Sequence, residues 1–132
     1  MKEPKQVIVM RKDLNMRKGK MIAQGSHASL KVFFDWGEWH DFEDRDFYQI
    51  KGMTKDMKDW IDGRFTKIVV SCDSEQELDE LYKQAKEKGL PCSMIVDAGL
   101  TEFNGVPTKT CIAIGPANPD NIDEITKHLK LL

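Results

Sequence analysis

Apolar positions along the chain follow two rhythms, one of strands and one of helices. Gln6-Val7-Ile8-Val9-Met10 is a continuous apolar run of strand length, the pattern of a strand buried on both faces rather than of an alternating surface strand. A polar turn follows. From Lys18 to Phe34 the residues suit a helix, with Ala23, Gly25, Ser26, Ala28 and Ser29 so small that its backbone must lie close to a sheet, a partner chain or a ligand. Residues 35–62 read as irregular at first, with Trp36, Gly37, Trp39 and a cluster of acids. They then place Met53, Met57, Trp60 and Ile61 at i, i+4, i+7 and i+8, one helical face.

A second strand is predicted over 66–72, centred on Ile68-Val69-Val70. Ser74 and Glu77 then form a capping box that opens a helix with Leu78, Leu81, Tyr82 and Ala85 on its inner face and Gly89 at its end. A third strand over 92–96 and a fourth over 110–114 are joined by a polar segment containing Asn104-Gly105, a turn signal that allows the two to pair directly. Asn118-Pro119-Asp120 opens a last helix with Ile122, Ile125 and Leu129 facing inward. The order β-α-(α)-β-α-β-β-α predicts an α/β fold: one domain, a small mixed four-stranded sheet with helices packed on both faces.

Composition fits that picture. The chain has 132 residues, 40% hydrophobic and 32% charged, enough apolar content for a core, so general disorder is excluded. Its uncharged runs are far shorter than the roughly 18 to 20 residues of a membrane-spanning helix, and Met1 is followed by Lys2, Glu3, Pro4 and Lys5 instead of an apolar signal core. A cytoplasmic protein without a membrane partner is expected. Cys72, Cys92 and Cys111 are odd in number and widely spaced, which suits reduced core thiols better than disulfides or a zinc site.

The net charge of −2 hides an asymmetry. Residues 1–34 balance to +6, residues 35–62 to −5 and residues 63–132 to −3. A basic N-terminal quarter can be a solvated face or a contact for a polyanion.

Nucleotide-binding glycine loops, a Gly-x-Ser-x-Gly elbow and paired histidines at metal spacing are all missing from the sequence, so no metal or nucleotide cofactor is expected. Arg17-Lys18-Gly19-Lys20 enters the first helix where free amide N–H groups and the helix dipole favour an anion, which makes it a candidate phosphate site. Gln24 and His27 lie four and seven positions beyond Lys20, on one helical face. His27 reads either as catalytic or as a core histidine satisfied by a carbonyl. Asp97-Ala98-Gly99 ends the third strand, where α/β sheets place ligand-facing groups, so Asp97 reads either as ligand-facing or as a cap of the following loop, in which Thr101 and Glu102 either orient a water or face solvent. Lys67 at the start of the second strand reads as a surface lysine.

Several segments together resemble one family. Gly19-Lys20-Met21-Ile22-Ala23-Gln24-Gly25-Ser26-His27-Ala28, Asp97-Ala98-Gly99-Leu100-Thr101, Ile112-Ala113-Ile114-Gly115-Pro116 and the ending His128-Leu129-Lys130-Leu131-Leu132 are similar to the type 2 peptidyl-tRNA hydrolases of archaea and eukaryotes. The likeness runs from about Gln6 to Leu132, interrupted by the acidic segment 35–62. It implies a cytosolic, often dimeric, cofactor-independent enzyme with a mixed four-stranded sheet, acting on the ester between a peptide and the 3′ ribose of tRNA. It further implies a site of Lys20, Asp97, Thr101 and His27, with Gln24 and Lys67 on the substrate and Arg11, Lys12, Arg17 and Lys18 on the tRNA backbone.

The family usually reads Asp-Ala-Gly-Arg-Thr-Gln where this chain has Leu100 and Glu102, commonly has Cys at Gly25, and often has Lys at Ser71. Two further readings stay open beside the enzyme. One is a relative that binds RNA without hydrolysing it. The other is a protein-interaction module anchored by Trp36, Trp39 and Trp60, which read alternatively as core packing beneath a long loop.

Overall fold

In a computed structural model, described here over residues 2–132, the chain forms ten elements. They are β1 (Lys5–Arg11), α1 (Lys18–Phe34), β2 (Gly37–Phe42), β3 (Arg45–Ile50), α2 (Lys55–Asp62), β4 (Lys67–Cys72), α3 (Glu75–Glu87), β5 (Cys92–Asp97), β6 (Thr108–Ala117) and α4 (Pro119–Thr126). The main sheet has the order β4-β1-β6-β5, with β1 parallel to β4, and β6 antiparallel to both β1 and β5. It is the mixed four-stranded sheet that the sequence predicts. β5 and β6 pair directly across a turn in which Asn104 and Gly105 both take positive φ.

The unbroken apolar run of β1 is explained by its central position. Val7 and Val9 face one layer, packing with Leu78, Leu81 and Ala85 of α3 and Ile122 and Ile125 of α4. Ile8 and Met10 face the other, with Ala28, Val32 and Phe33 of α1 and Met57 and Trp60 of α2. The three-layer α/β/α arrangement follows. Ser74 caps α3 by accepting from the Glu77 N–H at 3.0 Å, while the Glu77 carboxylate reaches back to the Asp73 N–H at 2.8 Å. Asn118 caps α4 at Asp120 N–H. All three cysteines are free and buried, as expected, and burial pushes the Cys72 and Cys111 thiols up to about 11 and about 12. Among the described residues no helix is long and apolar enough to cross a membrane.

Residues 35–62 correct the sequence reading. The stretch read as irregular is a two-stranded antiparallel hairpin, β2 with β3, in register from Gly37 opposite Ile50 to Phe42 opposite Arg45. Two features hide it from the sequence. Its faces are largely solvated, so no apolar alternation marks the strands. Its turn places Glu43 and Asp44 at φ 51° and 61°, conformations usually supplied by Asn-Gly. The hairpin is held to the C-terminal end of α1 by Tyr48, which packs edge-on to Phe34 and Trp39 and donates its hydroxyl to the Phe34 carbonyl.

The helix that follows is also shorter than its apolar spacing implied. Thr54 caps it by accepting from the Met57 N–H at 3.0 Å, which leaves Met53 outside, and only Met57 and Trp60 of the four apolar positions are buried. Trp60 is a core residue stacked on Phe33, with its indole N–H donating to the Thr66 carbonyl at 2.8 Å. Trp36 packs against the same core, and only Trp39 is exposed.

Candidate active site

The first turns of α1 lie across the end of β5, and four sequence-predicted residues converge there. The Lys20 ammonium donates to Asp97 Oδ1 at 2.9 Å and to Thr101 Oγ1 at 2.9 Å. One turn on, Gln24 donates through Nε2 to the same Asp97 oxygen at 3.2 Å. The other carboxylate oxygen accepts the Gly99 N–H at 2.8 Å. Lys20 and Asp97 are thus a partly buried ion pair, and the Lys20 hydrogen bond, ahead of the Gly99 N–H, the Lys20 charge and the Gln24 amide, holds the Asp97 carboxyl below its ordinary range.

Local sequence explains the convergence. Spacing of four on α1 aligns Lys20 and Gln24 on one flank. Gly99 sits at φ +82°, and a Cβ built there would lie 2.4 Å from the Val106 carbonyl oxygen, so only glycine lets the loop fold back on itself. That fold carries Thr101 to Lys20. It also carries Phe103, whose ring centroid lies 5.7 Å from the Lys20 ammonium. Sequence reading did not single out Phe103, and nothing in its spacing would have.

The other expected residues lie apart from this cluster. His27 is exposed on α1, which rules out the core histidine as an account of it, and no hydrogen bond joins it to Lys20 or Asp97 among the described residues. Arg11 is buried and committed internally. Its guanidinium forks onto Asp13 at 2.6 and 3.1 Å and donates to the Lys109 carbonyl at 2.9 Å. Lys12, Arg17 and Lys18 are exposed around the N-terminus of α1.

Lys67 begins β4, at the far edge of the sheet from β5. Its ammonium lies 3.2 Å from the Phe65 ring centroid and 4.8 Å from that of Trp60, and lost hydration pushes its pKa down. It borders an open apolar groove of about 980 Å³ along the opposite flank of α1 from Gln24, floored by Ile8, Met10 and Val69 and walled by Ile22, Ser26 and Leu30.

Fold and cluster together define a class: small α/β proteins that set a lysine, a carboxylate and a hydroxyl between the first helix and the end of a sheet strand, beside exposed cations. Residues 4–132 match the family model described as Peptidyl-tRNA hydrolase PTH2. The chain is 41% identical over 128 residues to a peptidyl-tRNA hydrolase of Methanocaldococcus jannaschii, covering 97% of this chain and 99% of that protein. It is 40% identical over 134 residues to the corresponding protein of Thermococcus onnurineus, and 38% identical over 128 residues to that of Methanopyrus kandleri, each time with 97% of both chains covered. The chain belongs to the peptidyl-tRNA hydrolase PTH2 family.

Proposed function

We propose that this protein hydrolyses the ester between a peptide, or an N-blocked amino acid, and the 3′ ribose of tRNA, in the cytoplasm, with the whole of 1–132 acting as one unit. The observation that carries the reading is the Lys20–Asp97–Thr101 cluster at the N-terminus of α1, flanked by exposed Lys12, Arg17 and Lys18. An aminoacyl ester is labile, so the demand on the site is to position a water, accept its proton and stabilise an oxyanion.

Asp97 is the water-holding base, and Thr101 orients the same water. Lys20 answers the oxyanion. These roles are coupled. While paired with Lys20, Asp97 is a weak base; as negative charge grows on the substrate oxygen, the ammonium is drawn toward it and Asp97 becomes more basic at the moment it must take the proton. Gln24 has both ends of its amide engaged inside the protein, so it serves the carboxylate instead of touching substrate.

Lys12, Arg17 and Lys18 meet tRNA phosphates, while Arg11, bonded to Asp13 and the Lys109 carbonyl, braces the strand beneath them. His27 lies away from the carboxylate and its place is on the bound substrate beyond it, while Lys67, at the opposite edge of the sheet, meets only a part of the substrate that runs past that edge. The apolar flank of α1, where Ile22 is 71% and Leu30 55% exposed, is the face a second copy would cover in a homodimer, which sedimentation at several concentrations tests.

The deciding experiment is release of free tRNA from N-acetyl-aminoacyl-tRNA in EDTA, with Asp97→Ala as control. Turnover that disappears in the control is expected. Binding of tRNA with the ester left intact would replace the hydrolase by an RNA-binding relative.

A further inference from the structure

Strand β6 carries one residue more than its partner just where it passes beneath α1. Ile95 pairs with Cys111 and the next residue, Val96, pairs with Lys109, so Thr110 has no residue opposite it. This is a β-bulge, a device that re-aims side chains.

Its effect is visible in where the neighbours point. Ile112 and Ile114 face α3 and α4, and Cys111 and Ala113 face α1. Strict alternation would send Thr110 to the α3 side and Lys109 to the α1 side. Instead Lys109 reaches Asp79 of α3 at 3.0 Å, and Thr110 joins Cys111 on the α1 side. Both then bond one residue. Thr110 Oγ1 donates to Gln24 Oε1 at 2.5 Å, and Cys111 Sγ donates to the Gln24 backbone carbonyl at 3.3 Å.

We propose that Thr110, turned toward α1 by this bulge, is a positioning residue for Asp97: its hydroxyl donates to the accepting end of the Gln24 amide and so holds the donating end on the carboxylate. The inference rests on the reading of Asp97 as the base.

A side-chain amide has a donating end and an accepting end of nearly the same shape, and only the donating end suits an ionised carboxylate. Thr110 is 0% and Gln24 2% exposed, so water does not satisfy either end. The Asp97 carboxylate, an acceptor only, takes the Nε2 end at 3.2 Å, and the threonine hydroxyl donates to the Oε1 end that is left. The chain hydroxyl, amide, carboxylate is polarised in one sense, so each bond strengthens the next. Asp97 Oδ1 is thereby held from two sides, by Lys20 and by Gln24, while Gly99 holds Oδ2. When Lys20 leaves for the oxyanion, the Gln24 bond keeps the carboxylate aimed. Without the hydroxyl, Oε1 is a buried acceptor with no donor, and the amide is held against the carboxylate from one end only.

Thr110→Val keeps the shape and removes the hydroxyl, while Thr110→Ser keeps the hydroxyl. Two quantities are measured in the full chain: steady-state release of tRNA from N-acetyl-aminoacyl-tRNA, and the titration midpoint of the Asp97 carboxyl followed by carbon NMR. For Thr110→Val, kcat is expected to fall about tenfold with KM within about twofold, and the Asp97 midpoint to rise by about one pH unit. Thr110→Ser is expected to restore both. A residue that only packs would change melting temperature and move neither.

Gln24→Met and the double variant Thr110→Val with Gln24→Met close the cycle. Both are expected to share one raised midpoint, and the double variant replaces the two buried polar partners together, so it decides the matter should Thr110→Val alone not fold. Wild-type kcat and midpoint in Thr110→Val would overturn the proposal, as would a valine effect undiminished in the Gln24→Met background. If the wild type releases no tRNA, the hydrolase reading fails, and the carboxyl midpoints still decide the role of Thr110.

Discussion

Asp97 is a carboxylate that accepts from three donors: Lys20 and Gln24 of α1, and the Gly99 N–H of its own loop. Its pKa is lowered on folding, so its contribution to stability is present above the unfolded value of about 3.9 and is lost as the pH falls through the lower folded value. Thermal melts of wild type and Asp97→Asn as a function of pH check this. Their difference is expected to be steady near neutrality and to shrink only in strong acid. Lys20→Met should remove the largest source of the shift and move that convergence to higher pH. Lys20, Gln24, Asp97 and Thr101 were legible because a helical spacing of four and the end of a strand are one-dimensional patterns. Thr110 was not. A bulge reverses the parity of a strand, and parity is what a sequence reader assumes. Arg11 failed differently: its charge was visible, but Asp13 two residues on, which draws it inward, looks in sequence like any surface acid.

At the scale of elements, α1 shows how close packing and propensity can be separated. Gly25 faces Ile8 and Met10 of β1, and a Cβ there would meet Met10 Cε at 3.7 Å and Ile8 Cδ1 at 3.8 Å, ordinary van der Waals contact. The small residue is therefore not required by space. Gly25→Ala is expected to stabilise the protein by about 0.5 to 1 kcal/mol in denaturant titration, through lower helix-forming cost and a filled contact. Gly99→Ala should do the reverse, loosening the loop and lowering turnover, because its positive φ and the Val106 backbone leave no room. Buried elements were legible in kind and mostly in bounds: α1 runs over the range its sequence suggested, β4, β5 and α3 differ by a residue or so, β6 extends to Thr108–Ala117 beyond the expected 110–114, and α4 ends at Thr126, short of Leu129. Burial imprints a period on the sequence. The β2–β3 hairpin, wet on both faces and turned by Glu43-Asp44, carries no such imprint, and the sequence alone left it shapeless.

For the molecule as a whole, α1 separates two charges. The exposed cations Lys12, Arg17 and Lys18 gather at its N-terminus, and the hairpin bearing Asp41, Glu43, Asp44 and Asp46 is fixed at its C-terminus by Tyr48. A helix of 17 residues spans about 25 Å, roughly three screening lengths at physiological salt. The base of the acidic hairpin is therefore tied to the end of α1 away from the Lys20–Asp97 cluster. Converting those four acids to Asn and Gln is expected to change KM for the tRNA ester less than about twofold at physiological salt, whereas Lys12→Ala with Lys18→Ala should weaken it severalfold and flatten its salt dependence. Steady-state kinetics across a salt series read both.

Residues 130–132 run antiparallel along the outer side of β4. The Ser71 N–H donates to the Lys130 carbonyl at 2.9 Å and the Leu132 N–H to the Val69 carbonyl at 3.1 Å, with Val70 bridging Leu131. These bonds occupy the outer rim of β4, which would otherwise offer a row of free amides and carbonyls to any extended peptide. Molecules nicked or frayed in this tail would keep their carboxylate and lysine intact while gaining a template for self-association. Resistance to self-association is thus expected to depend on residues far along the chain from the Lys20–Asp97 pair.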